Sequence, residues 1–116
     1  EQSLEQSRVK IIKSGNLKEV LPDVDCVYMT RIQDEYDMSG ESGRINYDQF
    51  SLYPDDLKMM KPDSIILHPL PRRSEIHPEV DLDPRAMYWR QLRNGLYIRA
   101  ALMLYVFNQS HRLQEY

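Results

Sequence analysis

The sequence has one cysteine, Cys26, in 116 residues. One thiol excludes an internal disulfide and a cysteine-rich zinc site. Cys26 sits in the apolar run 24–29 with no histidine near it in sequence. A buried structural thiol is therefore expected, not a nucleophile. The lack of disulfides fits a reducing compartment, and a cytoplasmic location is the expectation. A basic excess is also missing: 15 Lys plus Arg stand against 18 Asp plus Glu, for a net charge of −3. That speaks against an electrostatically driven nucleic-acid binder, and the acidic surplus is too small for a disordered acidic tail. No apolar run approaches the length of a bilayer crossing, and no signal peptide is visible, so no membrane partner is expected. The three histidines, His68, His77 and His111, show no metal-ligand spacing. No Gly-rich phosphate loop and no Gly-x-Ser-x-Gly elbow occurs. No metal site is expected, and internal repeats and low-complexity tracts are absent.

The length fits one domain or part of one, with room for a modest core. The chain begins at Glu1, and its first residues read like the middle of a helix, so upstream sequence is expected. Residues 9–12 form a short strand candidate. Ser14-Gly15-Asn16 is a turn, with Asn16 as N-cap and Glu19 at the capping-box position of a helix over 17–21. Residues 24–29 are mostly apolar and predict a strand covered on both faces. Strand, short helix, strand is a βαβ unit and implies a parallel sheet. From Asp34 to Asn46 the chain is polar and turn-rich, and predicts an exposed loop that is either a lid or a plain insertion. Residues 47–50 are ambiguous between turn and strand. Pro54 opens a helix to about Met60, and 64–67 is a third strand. Residues 75–81 read as acidic loop. Asp83 and Pro84 predict a helix start, with Gly95 a possible interruption. Residues 96–107 are apolar around most of the helix and predict burial between layers. The polar end, 108–116, is expected to fray.

The most distinctive stretch is Ile65-Ile66-Leu67-His68-Pro69-Leu70-Pro71-Arg72-Arg73. An apolar strand stops at His68, and two prolines follow. Pro69 and Pro71 donate no backbone hydrogen bond and hold His68 and Leu70 extended. The carbonyls of His68, Pro69 and Leu70 are then left without ladder partners, at the kind of strand end where α/β folds bind ligands. The same pattern also fits a stiff strand exit with no ligand. Arg31 and Gln33 fall on one side if the strand over 24–29 continues. A guanidinium fork binds a carboxylate through two hydrogen bonds, and an amide both donates and accepts. The pair suits an anionic, amino-acid-like ligand, or a solvated strand end. Arg72 and Arg73 either bind anions or pair with Glu75, Glu79 and Asp81, with salt pairing expected for at least one. His68 is expected to satisfy backbone groups locally. Tyr88 and Trp89 read as core or interface.

Several of these segments together resemble one family. Tyr28-Met29-Thr30-Arg31-Ile32-Gln33, His68-Pro69-Leu70-Pro71-Arg72 with Glu75-Ile76, Glu79-Val80-Asp81 with Asp83-Pro84-Arg85-Ala86, and Arg90-Gln91 with Asn94-Gly95 and Arg99 are similar to the aspartate transcarbamoylases. They occur in that family's order and spacing, from about residue 8 to 107. Ornithine transcarbamoylases carry Cys where Pro69 stands. Some positions depart from the pattern: Asp34-Glu35-Tyr36 replaces a basic residue followed by Glu-Arg, Arg73-Ser74 replaces Val-Asp or Val-Asn, Trp89 replaces Phe and Ala100 replaces Met.

The resemblance implies an α/β fold, a parallel sheet flanked by helices, forming the aspartate-binding domain without its N-terminal part. Residues 1–107 would be that partial domain and 108–116 a tail. It implies carbamoyl transfer from carbamoyl phosphate to L-aspartate in pyrimidine synthesis, with no cofactor. Arg31, Gln33 and Leu70 would hold aspartate, and Pro69, Leu70 and Pro71 would hold carbamoyl phosphate. The Leu70–Pro71 bond would be cis. The loop 34–46 would close over aspartate. No catalytic side chain is expected within the chain, because the phosphate-binding Ser-Thr-Arg-Thr motif and the oxyanion-binding His belong upstream, and residues 1–116 alone should not turn over. Expected partners are the missing N-terminal portion, a homotrimer of catalytic chains, and either regulatory subunits or a multifunctional polypeptide. The competing expectation is a catalytically inactive domain that serves as a scaffold.

Overall fold

The computed structural model describes residues 10–31 and 47–115. Two short strands, β1 (Cys26–Tyr28) and β2 (Ile65–Leu67), pair in parallel with Val27 opposite Ile66. Ile65 N–H donates to the Asp25 carbonyl at 3.0 Å and Met29 N–H to the Leu67 carbonyl at 2.9 Å, which extends the ladder at both ends. On its other side β2 meets residues 85–87. Ile66 N–H donates to the Arg85 carbonyl at 2.8 Å, and Met87 N–H donates to the Ile66 carbonyl at 2.9 Å. Ile66 thus lies at the centre of a small parallel array. One long helix, α1 (Tyr88–Val106), follows, and short 3-10 helices fill the connections.

Alternation along the strands decides the core. Val27 and Ile66 point to a face packed with Leu21, Leu52, Ile76, Val80 and Tyr88, all fully buried. Cys26, Tyr28 and Ile65 point the other way and are exposed. The expectation of two covered faces is therefore corrected. Among the described residues the sheet is covered on one face, and Cys26 is an exposed thiol, not a buried one. Apolar residues on the second face predict burial, but composition does not say what covers them.

Other boundaries move for physical reasons. The strand expected over 9–12 is not formed in its described part: residues 10–12 are exposed and pair with no described strand. Asn16 does cap, its carboxamide accepting from Lys18 N–H at 3.0 Å, but the helix is a single 3-10 turn, Leu17–Glu19. Glu19 accepts from the Ser14 hydroxyl at 2.9 Å, so the expected capping box is replaced by a Ser14 bridge. Residues Tyr47–Phe50 and Pro54–Met59 are both 3-10, the second with Pro54 in its first turn. The expected acidic loop contains a 3-10 helix, Pro78–Leu82, with the His77 ring accepting from Glu79 N–H.

Asp83 caps no following helix. Its carboxylate accepts from Arg85 N–H and from Arg85 Nε and Nη2, each at 2.9 Å. The Arg85 hydrogen bond holds the Asp83 carboxyl below its ordinary range. The same guanidinium reaches the Leu57 carbonyl at 3.0 Å and the Lys61 carbonyl at 3.2 Å, pinning 57–61 to 83–86. The chain turns over 83–86, with Ala86 N–H donating to the Asp83 carbonyl at 2.9 Å, and bridges Ile66 at Ala86, so α1 starts only at Tyr88. It runs through Gly95 unbroken. Burial of its distal half between layers is also corrected: Leu96, Ile98, Leu102, Tyr105 and Val106 are exposed among the described residues. Past α1 the chain forms a 3-10 helix, Ser110–Glu115, where fraying was expected.

Candidate active site at the carboxyl ends of the strands

β1 and β2 end side by side, and the chemistry-bearing residues gather there. Arg31, half-buried, lies three positions beyond β1. Pro69, Leu70 and Pro71 lie just beyond β2, at the same end of the sheet. Gln33 and the loop 34–46 lie outside the described residues.

The strand exit is built from its hydrogen bonds. β2 cannot continue, because Pro69 has no N–H to offer a ladder. The last donor, His68 N–H, goes instead to Gln91 Oε1 at 3.0 Å. Gln91 Nε2 then donates to the Tyr28 hydroxyl at 3.1 Å. One amide on the first turn of α1 therefore clamps the ends of both strands. Reading the sequence placed Gln91 only within a family pattern. The signal that could have found it is the orphan N–H before Pro69, which requires a partner when buried.

His68 is fully buried. Its Nδ1 accepts from Leu70 N–H at 2.8 Å, and its Nε2 lies 2.7 Å from Glu75 Oε1. Local satisfaction of backbone groups by His68, expected above, is what the structure has. The Leu70–Pro71 peptide is cis, as the resemblance implies, and Leu70 has φ 54°. That left-handed conformation is uncommon for a residue with a branched side chain. The expectation of extended backbone at Leu70 is thus corrected: the loop turns there, held by the His68 ring. Among the described residues no group donates to the Pro69 or Leu70 carbonyl.

Arg72 is committed to structure. Its Nη2 donates to Asp81 Oδ2 at 2.5 Å and its Nη1 to the Ile76 carbonyl at 3.0 Å. The Tyr88 hydroxyl donates to the other Asp81 oxygen. Burial first, then this hydrogen bond, push the Tyr88 phenol far above its ordinary range, so it remains a donor. Tyr88 is core, as expected. Trp89 is half exposed and forms one wall of a cleft of about 630 Å³ with Pro69, Leu70, Pro71, Arg72 and Leu92. A smaller recess of about 180 Å³ is lined by Tyr28, His68, Pro69, Gln91, Leu92, Gly95 and Arg99. Pro69 borders both. Among the described residues no cluster of His, Cys, Asp or Glu could hold a metal ion, and no helix is long and apolar enough to cross a membrane.

Backbone acceptors after one strand and an arginine after its parallel neighbour suit an amine and a carboxylate. Comparison with known proteins fits that chemistry. A family model described as aspartate/ornithine carbamoyltransferase, Asp/Orn binding domain, matches residues 1–106. The chain is 46% identical over 101 residues to the multifunctional protein CAD of Squalus acanthias, covering 87% of this chain and 4% of that one. It is 45% identical over 100 residues to the aspartate carbamoyltransferase catalytic subunit of Alkaliphilus oremlandii, covering 86% of this chain and 30% of that one. The fold is similar to Trypanosoma cruzi aspartate transcarbamoylase in complex with carbamoyl phosphate and aspartate. There the TM-score is 0.78 at 31% identity, over 88% of this chain and 33% of that one. The chain thus spans a third or less of each of these relatives.

Proposed function

From a chain that belongs to the aspartate/ornithine carbamoyltransferase family, matched over its Asp/Orn binding domain, we propose that the full-length protein transfers a carbamoyl group to L-aspartate. The donor is carbamoyl phosphate, and the products are N-carbamoyl-L-aspartate and phosphate. Residues 1–107 form the aspartate-binding portion, followed by the tail 108–116. The observation that supports the reading is that Arg31 follows β1 and Pro69 and Leu70 follow β2 at the same end of a parallel pair.

In the reaction the aspartate amine attacks the carbamoyl carbon. A tetrahedral intermediate forms, the C–O bond to phosphate breaks, and the amine loses a proton. Arg31 and Gln33 hold the aspartate carboxylates. The carbonyls of Pro69 and Leu70 accept from the carbamoyl NH2 and the incoming amine, and Pro71 fixes the backbone that carries them. Catalysis of this kind rests on orienting two reactants, an effect worth up to about 7–11 kcal/mol when the geometry is set beforehand. Charge stabilisation of the intermediate falls to groups outside the residues described. The relatives named above as multifunctional protein and as catalytic subunit support either a multifunctional polypeptide or a separate catalytic chain. A homotrimer and regulatory subunits belong to the same proposal.

The test is a direct assay of the full-length polypeptide with carbamoyl phosphate and either L-aspartate or L-ornithine. Carbamoyl-aspartate is expected, with no carbamoyl-ornithine. Product from ornithine instead would reassign the substrate, and no product from either would favour the scaffold reading.

A further inference from the structure

His68 and Glu75 are both fully buried, and the proposed reaction assigns neither a substrate contact. Their hydrogen bonds close the loop between them. Leu70 N–H donates to His68 Nδ1 at 2.8 Å, so that nitrogen carries no proton. The imidazole proton is then on Nε2, which donates to Glu75 Oε1 at 2.7 Å. The same carboxylate oxygen accepts from Arg73 N–H at 3.0 Å. One histidine tautomer and one carboxylate thus fix two backbone amides of the 68–75 loop.

The consequence falls on a carbonyl. The 69–70 peptide is trans, so its N–H and C=O point in opposite directions. With Leu70 N–H turned inward to the His68 ring, the Pro69 carbonyl is turned away from it. Pro69 borders both recesses of the site. The left-handed Leu70, at φ 54°, is the backbone turn that this anchoring maintains. Without an acceptor at His68 the 69–70 peptide is free to rotate, and its carbonyl is no longer presented.

We infer that His68 and Glu75 are positioning residues, whose hydrogen-bonded pair presets the Pro69 carbonyl as the acceptor for the carbamoyl NH2. The inference rests on the proposed function for its catalytic part, while its structural part is measured separately.

The experiment uses the full-length polypeptide. His68→Leu removes the acceptor. His68→Asn restores one, since an Asn side chain bonds the backbone N–H two residues on. For His68→Leu, kcat for carbamoyl transfer is expected to fall about tenfold, the worth of one oriented hydrogen bond. KM for aspartate stays within about twofold, because the change leaves Arg31 in place. Hydrogen exchange at the Leu70 amide speeds up. His68→Asn recovers most of kcat and of the Leu70 protection, which a merely structural role does not predict. Unchanged kcat, or unchanged Leu70 exchange in His68→Leu, overturns the proposal, as does equal loss in both variants. If His68→Leu does not fold, Glu75→Gln replaces it. That variant keeps the side-chain shape but removes the charge facing Nε2–H, and a drop in kcat of about threefold with faster Leu70 exchange is expected. Unchanged values there overturn the proposal equally. A wild-type protein that forms no carbamoyl-aspartate overturns the proposed function and the catalytic part with it. The exchange arms still decide whether the pair holds the loop.

Discussion

Arg31→Ala in the full-length protein is expected to weaken the use of aspartate by about 2 kcal/mol or more, roughly thirtyfold in kcat/KM. A guanidinium offers a planar fork that matches both oxygens of one carboxylate, and no other side chain does so at fixed positive charge. Removing it leaves a ligand carboxylate facing partly desolvated space without its partner. Arg31 lies beyond β1, outside the buried cluster that holds the sheet together. The melting temperature should therefore move little. Carbamoyl phosphate should bind as before, because the proposed acceptors of its NH2 are backbone carbonyls on the other strand. Arg31→Lys should recover only part of the loss, since an ammonium keeps the charge but not the fork. Steady-state kinetics with each substrate varied in turn read all three outcomes. Unchanged aspartate kinetics would remove Arg31 from the site.

The second large effect concerns stability. Ile66→Ala is expected to destabilise the domain by about 2–5 kcal/mol. Ile66 is fully buried and pairs with Val27 on one side and with residues 85–87 on the other. Its side chain belongs to the buried cluster with Leu21, Leu52 and Tyr88. Deleting three carbons there removes apolar contact and leaves a cavity, and the hydrogen-bonded backbone on both sides restricts how far the gap can close. Denaturant unfolding of the full-length protein measures the change as a lower midpoint with the slope unchanged. A shift below about 1 kcal/mol would mean that the covered face is not the core. The two variants separate the roles at one sheet: Arg31→Ala alters kinetics with stability kept, and Ile66→Ala alters stability first.

What could be read from the sequence follows the range of the interaction. The strand at 65–67 was legible because an apolar β-branched run ends in two prolines, a signal within ten residues. The pairing of Arg72 was legible from the nearby acids, and Asp81 is its partner. The Asn16 cap was legible for the same reason. The Gln91 clamp was not, because its two ends lie 23 and 63 positions away in sequence. Asp83 before Pro84 reads as a helix start by local preference, yet the bridge between Ala86 and Ile66 takes up that backbone. That is a tertiary contact overriding a local one. Cys26 and the distal half of α1 depart from expectation for a third reason. Apolar residues state that a surface prefers cover, not that cover is supplied by the residues nearby. The cis Leu70–Pro71 bond came only with the resemblance, since Pro-Leu-Pro composition alone fits either isomer.

In the proposed site one sheet end presents an arginine fork after β1 and backbone acceptors after β2 to a single product. A crystal structure of the full-length protein with N-carbamoyl-L-aspartate and phosphate would show whether both engage it. A product carboxylate is expected on the Arg31 guanidinium through two hydrogen bonds, with the carbamoyl N–H on the Pro69 or Leu70 carbonyl. Product bound without contact to Arg31, or with the 68–71 backbone facing away from it, would overturn the proposed site.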